Sequence, residues 1–141
     1  MITLLIFLLH CLATFALTGL IWFVQVVHYP LLRLVPENAF TAYVRENIRR
    51  TAWIAGSAML LEMGTGIALL TIATWRESVF SLTMLLLLGI WLSTFFLQVP
   101  LHRRLLLGKD LEAIKRLTFT NWIRTSAWTG RSIILILLSL A

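Results

Sequence analysis

One stretch of this chain, Phe23-Val-Gln-Val-Val-His-Tyr-Pro-Leu-Leu-Arg33, returns in related form as Phe96-Leu-Gln-Val-Pro-Leu-His-Arg-Arg104. In both copies an apolar run ends in Gln-Val and a histidine follows within the next turn. A polar link then leads to a second shared run, which reads Asn47-Ile-Arg-Arg-Thr-Ala-Trp53 in the first half and Trp122-Ile-Arg-Thr-Ser-Ala-Trp128 in the second. The recurrence predicts two helical hairpins of similar design that carry their polar residues at the same end.

The composition predicts that these hairpins lie in a membrane. Of the 141 residues 60% are hydrophobic, and the mean hydropathy is +0.91, far above the range of soluble domains. We therefore predict an all-α, polytopic membrane protein with a single transmembrane domain, 1–141, in which four helices form a bundle of two similar halves, about 1–74 and 79–141. The apolar runs place the helices at about 2–27, 51–74, 79–99 and 123–141.

The prolines and the polar links set the expected helix boundaries. Pro30 and Pro100 are predicted to end helices 1 and 3, because proline lacks a backbone N–H and disfavours helix in the residue before it. Each following link is expected to contain a short amphipathic helix at the cytoplasmic membrane surface. Pro36-Glu37 is a typical start for the first of these helices, and Asp110 is a typical N-cap for the second. Asn121 is expected to cap helix 4.

The net charge of +6 is distributed as in a membrane protein rather than a nucleic-acid-binding one. All Lys and Arg residues except Arg76 and Arg131 lie in the two long links or beside them. Basic residues that flank apolar helices are typical of segments held at an anionic lipid surface. The positive-inside rule then predicts a multi-pass protein of the inner (cytoplasmic) cell membrane, with cytoplasmic links and both termini extracytoplasmic.

Two charged residues within the apolar runs are the main catalytic candidates. Glu62 lies near the middle of helix 2 and Arg131 lies inside helix 4. A carboxylate at this depth costs several kcal/mol unless it is paired or protonated. Glu62 therefore either exchanges a proton with a ligand in a pocket, or pairs with Arg131 and locks two helices together. Arg131 either meets Glu62 or reaches towards the cytoplasmic surface.

The repeated histidines, His28 and His102, are the next candidates, and His28 is included among the catalytic ones. Two histidines from different helices can ligate a metal or haem, or they can be interface residues satisfied by water. No local His-x-x-His spacing or cysteine cluster accompanies them, so no metal site is predicted. We favour no cofactor, with haem and quinone as the alternatives. The predicted ligand-binding residues are the polar and aromatic ones of the two repeats: Gln25, Gln98, His102, Trp53, Trp128, Asn121 and Arg124.

Three of these residues have a second interpretation. Trp53 and Trp128 stand just inside the predicted cytoplasmic boundary, where an aromatic belt is common and where a ring could also stack on a flat ligand. Arg124 lies beside the same boundary, where it could meet phospholipid headgroups.

The second half contains two short motifs joined by a link, Pro100-Leu-His-Arg-Arg-Leu105 and Asn121-Trp-Ile-Arg-Thr125. In these motifs the chain resembles the anthrone-oxygenase-like family of small four-helix membrane proteins, whose pattern is matched by Pro100, Leu105, Asn121, Arg124 and Thr125. His102 departs from it, because the family usually has Asn there. The resemblance implies a four-helix membrane fold and, from the characterised members, oxidation of anthrones to anthraquinones by O2 without an evident cofactor.

Two functions of different classes follow from these features. The first is a membrane protein that binds, and in the enzymatic version oxidises, a flat lipophilic aromatic or quinone-like molecule in an intramembrane pocket on the cytoplasmic side. The second is a non-catalytic accessory or structural subunit of a larger membrane complex, with haem held by His28 and His102 as a variant. The expected partners are the lipid bilayer, a lipophilic small molecule, and either further copies of the chain or a membrane complex, but not nucleic acid.

The charge distribution yields a test of topology. Reporter fusions after residues 38 and 108 should read as cytoplasmic, because the basic links are retained on that side. Fusions at residue 76 and at the C-terminus should read as extracytoplasmic. A cytoplasmic reading at residue 76 would contradict the predicted orientation.

Overall fold

The computed structural model describes residues 1–72 and 77–140, and among these residues it is all-helical, with 94% helix and no strand. We number its four long helices α1 (Ile2–Leu34), α2 (Glu37–Ile72), α3 (Ser78–Leu105) and α4 (Leu111–Leu140). The first three are long and apolar enough to cross a membrane. The predicted end of helix 2 and the Arg76 turn fall on 73–76, outside the described residues.

The two prolines lie inside helices, so the prediction that they end helices 1 and 3 is wrong. Helical structure continues to Leu34 in α1 and to Leu105 in α3. A five-residue π-helical segment precedes each proline, Val24–His28 before Pro30 and Thr94–Gln98 before Pro100. Proline clashes with the carbonyl four residues earlier in a regular α-helix. A π-helical turn is wider and shifts that carbonyl, so the chain passes the proline without ending the helix.

The predicted link helices are not separate elements. Residues of the first link form the opening turns of α2, which runs without a break from Glu37 to Ile72. Residues of the second link likewise open α4, Leu111–Leu140. Asn121 is therefore not a cap: it lies within α4 and is fully buried. Separate link helices were predicted because the polar and apolar turns of one continuous helix look like two elements when only hydropathy is considered.

The connection between α3 and α4 is fixed by three consecutive residues. Gly108 has a φ of 154°, which L side chains rarely adopt. Lys109 Nζ donates to the backbone oxygens of Arg33 and Val35 at 2.8 Å each, which ties the two links together. Asp110 is the N-cap of α4, as predicted, and accepts from the Ala113 N–H at 2.9 Å. That hydrogen bond, together with Arg104, lowers the pKa of Asp110 below its usual value.

The helices pack in a ring with one open side. α1 packs against α2 and α4, α4 also packs against α3, and α2 and α3 contact each other sparsely. The apolar core has two parts, one towards the links and one towards the other end, and the second contains Cys11, Leu69, Phe80 and Leu135. The buried charged residues Glu62 and Arg131 lie between the two parts.

The predicted equivalence of the two repeats holds only in part. Each half has a π-helical segment followed by a proline. The histidines do not occupy equivalent places, however, because His28 ends the first π-helical segment whereas Gln98 ends the second. Trp53 is 77% exposed and Trp128 only 2% exposed, so the interpretation of these tryptophans as equivalent is wrong.

Gly66 is the point of closest approach in this packing and provides a test of it. A Cβ at Gly66 would lie 2.6 Å from Met84 Sδ and 3.0 Å from His10 Cε1, whereas one at Gly64 would meet nothing within 4 Å. We expect Gly66→Ala to lower the free energy of unfolding by about 1–3 kcal/mol, because His10 is held in place by hydrogen bonds and cannot yield. Gly64→Ala, the matched control, should be neutral or slightly stabilising. Denaturant titration in detergent micelles measures both, and equal effects would contradict the packing described.

Candidate functional site

A fully buried ion pair joins α2 and α4. Arg131 Nη2 lies 3.1 Å from Glu62 Oε1, and Arg131 Nε also donates to this oxygen, at 3.3 Å. Glu62 Oε1 accepts in addition from the Thr14 hydroxyl at 2.7 Å, and Oε2 accepts from the Trp128 indole N–H at 3.1 Å. Both charged side chains have zero exposure. The predicted pairing of Glu62 with Arg131 is confirmed, and the carboxylate is satisfied on both oxygens.

The remaining donors of Arg131 reach the other two helices. Its Nη1 donates to the backbone oxygen of Thr83 on α3. Its Nη2 lies 3.2 Å from His10 Nε2 on α1. Because a guanidinium can only donate, His10 Nε2 must be the acceptor, and the imidazole proton then lies on Nδ1. That proton points at the Glu62 backbone oxygen and the Thr65 hydroxyl, each 3.0 Å away. We call His10, Thr14, Glu62, Trp128 and Arg131 the ion-pair cluster.

A cavity of about 490 Å³ lies between the helices on the side of the ion-pair cluster towards the links. Its wall comes from all four helices and is largely apolar, with Leu17, Ile21, Met59, Trp91, Phe95 and Trp128 among the lining residues. The lining residues Ala52 on α2 and Phe95 on α3 are exposed, so the cavity opens between these two helices, where their contact is sparse. The volume lies in the range of pockets for small organic ligands.

Glu62 and Arg131 do not line this cavity. Trp128 stands between them and the cavity: its ring is part of the wall and its N–H donates to Glu62. Of the three partners expected for Glu62, which were Arg131, Gln25 and His28, only Arg131 forms a hydrogen bond with it, and Thr14 and Trp128 supply the others. The geometry favours the interpretation that the pair locks helices together over the interpretation that Glu62 acts on a ligand.

A second arginine, Arg124, does line the cavity and is only 9% exposed. Its Nε and Nη2 donate to Asn121 Oδ1 at 3.0 and 2.5 Å. Longer bonds run from Nη2 to the Tyr29 hydroxyl, 3.3 Å, and from Nη1 to the Thr94 hydroxyl, 3.4 Å. The expectation that Arg124 meets phospholipid headgroups is wrong, because α4 directs this side chain into the protein.

Arg124 is oriented by residues that do not reach the cavity. Asn121 Nδ2 donates to Gln25 Oε1 at 2.8 Å, and Gln25 Nε2 donates to the Thr118 backbone oxygen at 3.0 Å. Asn121 and Gln25 were predicted to bind ligand, yet neither lines the cavity. They hold Arg124 in place instead. Trp53, which was predicted to stack on a ligand, faces away from the cavity and towards the surroundings of the bundle.

The repeated histidines both line the cavity, as does Gln98. Asn47 Nδ2 lies 3.0 Å from His28 Nε2, which therefore accepts. His102 Nδ1 donates to the Gln98 backbone oxygen at 2.8 Å, so its Nε2 carries a lone pair that no described residue uses. Of the two rings, His102 is thus the better placed to accept a proton from a ligand. The catalytic role predicted for His28 has no support beyond its place in the wall.

Tyr29, which completes this end of the cavity, is not among the site residues predicted from the sequence. Tyr29 is 3% exposed, lies beside Arg124 and has its ring centroid 5.8 Å from that of His102. Its hydroxyl accepts from Arg124, and its own proton has no acceptor among the described residues. The available signal in the sequence is the position of Tyr29 immediately before Pro30, where the pattern predicts the end of helix 1. We call Tyr29, His102 and Arg124 the polar end of the cavity.

The described residues contain no group of three or more His, Cys, Asp or Glu side chains that could hold a metal ion. For haem, His102 offers a free ring nitrogen, but His28 Nε2 is occupied by Asn47. The two histidines therefore do not form a pair of free axial ligands for a haem.

The ion-pair cluster yields a prediction on stability. Glu62→Gln should lower the free energy of unfolding by about 3–5 kcal/mol, because it leaves Arg131 as an uncompensated buried cation. The new amide would also turn a donor towards the Trp128 N–H. The double variant Glu62→Gln/Arg131→Met should be less destabilised than the sum of the two single variants by about 1–3 kcal/mol. Unfolding in mixed micelles measures all four forms, and strict additivity would contradict a direct pair.

Comparison of the chain with models of protein families, with curated proteins and with solved structures found no match in any of the three. The resemblance to anthrone oxygenases therefore stays an expectation from the motif residues, and function has to be argued from the cavity and its polar end.

Proposed function

We propose that the protein is a four-helix transmembrane bundle that binds a flat, lipophilic aromatic or quinone-like molecule in the cavity between α2 and α3. One observation carries the proposal: an apolar cavity of about 490 Å³, walled by aromatic side chains, has a buried arginine and a tyrosine hydroxyl at one end. Such sites bind through apolar area and orient through a few polar groups.

The four-helix arrangement in the membrane requires that α4 also crosses. Its 30 residues span about 45 Å, enough for a bilayer. Its mean hydropathy is reduced by Asn121, Arg124 and Arg131, but all three face inwards and are buried. Beyond its first turns, which belong to the basic link, the residues that it presents outwards are mainly apolar, such as Ile133, Ile136, Leu137 and Leu140. With the basic links in the cytoplasm, the protein lies in the inner membrane and the polar end of the cavity is on the cytoplasmic side.

The shape of the cavity supports a planar ligand. Trp91 and Phe95 lie on the α3 side, 5.4 Å apart between ring centroids, and Trp128 lies on the α4 side. Aromatic faces of this kind pack well against flat rings. The opening between α2 and α3 lies at the outer face of the bundle, so a lipophilic molecule can enter from the bilayer without crossing water.

The polar end also suits the reaction that the family resemblance implies. An anthrone becomes an anthraquinone when O2 adds one oxygen atom and removes two hydrogens as water. The first step is loss of a C–H proton, which leaves a negative charge on the ligand oxygen. His102 Nε2 can accept that proton, and Arg124 and Tyr29 can stabilise the oxyanion. We propose this cofactor-independent oxidation as the enzymatic form of the function.

Two glycines with open space around them provide the test. Gly56 lines the cavity, whereas Gly19 is exposed on α1, and a Cβ at either would meet nothing within 4 Å. Gly56→Leu should fill the cavity and weaken binding of anthraquinone by about tenfold or more, since the ring and the new side chain compete for the same volume. Gly19→Leu, the matched control, should bind as the wild type does.

Binding is measured by quenching of tryptophan fluorescence in lipid nanodiscs of fixed composition. Equal affinities for the two variants and the wild type would contradict the cavity as the binding site. A purified protein that carries haem, or that binds no planar ligand and co-purifies with a membrane complex, would favour the accessory-subunit function instead.

A further inference from the structure

We propose that the ligand of this cavity is a singly charged anion, whose acidic oxygen binds the Arg124 guanidinium beside the Tyr29 hydroxyl. The inference rests on the proposed function for the place of binding and adds to it the chemical class of the ligand. The class is an apolar body that carries one carboxylate, phenolate or enolate oxygen.

The charge balance within the described residues is the first argument. Each described arginine or acid that forms an ion pair does so away from Arg124: Glu46 with Arg49 and Arg50, Glu62 with Arg131, Asp110 with Arg104, and Glu112 with Arg116. Arg124 forms none of these pairs, and its hydrogen bonds to described residues all go to neutral acceptors. A guanidinium keeps its proton in proteins, so Arg124 is a buried positive charge that has no negative partner among the described residues.

Comparison with Arg131 shows that Arg124 lacks an anionic partner among the described residues. The two arginines lie two turns apart on the same face of α4, and both are buried. Arg131 has a carboxylate, and Arg124 has an amide oxygen in the corresponding role. Neutral hydrogen bonds offset only part of the cost of removing a cation from water. A negatively charged group at Arg124 would therefore bind more tightly than its neutral analogue.

The geometry indicates which edge of the guanidinium is free for this. The edge formed by Nε and Nη2 is held by Asn121 through its two shorter bonds, 3.0 and 2.5 Å. The edge formed by Nη1 and Nη2 makes the two longer bonds, to Thr94 and Tyr29, and both of these residues line the cavity. These four bonds use four of the five N–H donors of Arg124. An oxyanion at this edge would replace weak hydrogen bonds by charge-assisted ones and would also accept a hydrogen bond from the Tyr29 hydroxyl.

One buried cation neutralises one negative charge. A second charge on the same ligand would have only the exposed Arg103 as a further arginine among the described lining residues, which disfavours phosphate and other dianions. The ligand chemistry has two sources that share this headgroup: an acid with the flat aromatic body of the proposed function, and the carboxylate of a fatty acid from the bilayer. Both would bind the same edge of Arg124, and they differ only in the apolar body.

The test compares two probes with the same ring in nanodiscs of zwitterionic lipid: 9-anthracenecarboxylate, which is anionic at pH 7, and 9-anthracenemethanol, which is neutral. The wild type should bind the carboxylate more tightly by about tenfold or more. Tyr29→Phe should lower this preference several-fold, because it removes one donor to the oxyanion and changes little else. Lys115→Gln, which removes an exposed charge from the same helix, controls for the net charge of the protein and should leave the preference intact.

Asn121→Asp is the sharpest variant. It keeps the shape of the side chain that holds Arg124 and supplies the missing negative charge from within the protein. The preference for the carboxylate should then fall towards unity, whereas Arg124→Gln should abolish it by removing the cation. If Arg124→Gln does not fold, Asn121→Asp and Tyr29→Phe still decide the matter.

Equal binding of the two probes by the wild type would overturn the proposal, and so would a preference that survives in Asn121→Asp and Tyr29→Phe. A preference lost in Arg103→Gln instead would move the anion site to this exposed arginine and would also overturn it.

Competition with oleate distinguishes failure of this inference from failure of the proposed function. Displacement of the carboxylate probe by oleate at lower concentration than by anthracene acids would keep the anion site and contradict the planar ligand of the proposed function. If the wild type bound neither probe, the result would contradict both the anion site and the proposed function.

Discussion

The buried pair of Glu62 and Arg131 is the interaction on which the arrangement of the helices depends. It joins α2 to α4 directly, and its hydrogen bonds to Thr14, His10 and the Thr83 backbone reach α1 and α3. A buried ion pair contributes little net stability over an apolar replacement, but breaking it is costly. Its main effect is therefore to disfavour any other rotation of these helices, since a different packing would leave one charge alone in an apolar interior.

The cavity is a consequence of the same arrangement. The hydrogen bond from the Trp128 indole N–H to Glu62 fixes the orientation of this ring, which forms part of the cavity wall. One turn earlier on the same face of α4, Arg124 reaches the opposite end of that wall. The two arginines of α4 thus have different surroundings: one has a carboxylate from the protein, and the other faces the space in which a ligand would lie.

The π-helical segments explain how the polar end is assembled. Each adds a residue to a turn, so that every residue beyond it is rotated by about 100° relative to a regular α-helix. In α1 this rotation accompanies the burial of Tyr29 against Arg124, and in α3 it accompanies the bond from His102 to the Gln98 backbone oxygen. The prolines that follow make a regular helix unfavourable at these points, which is why the same device occurs in both halves.

Composition and local periodicity were sufficient to predict several features of this protein. These are the all-helical class, the three helices able to cross a membrane, the N-cap at Asp110, and the requirement that a carboxylate as deep as Glu62 be paired or protonated. Tertiary structure alone decided that Trp53 faces outwards while Trp128 and Arg124 face inwards, that Tyr29 joins the polar end, and that the cavity lies between α2 and α3. The direction of a side chain depends on the accumulated rotation of its helix and on the neighbour that it contacts. One additional residue in a π-helical turn changes both, and the hydropathy pattern does not reveal this change.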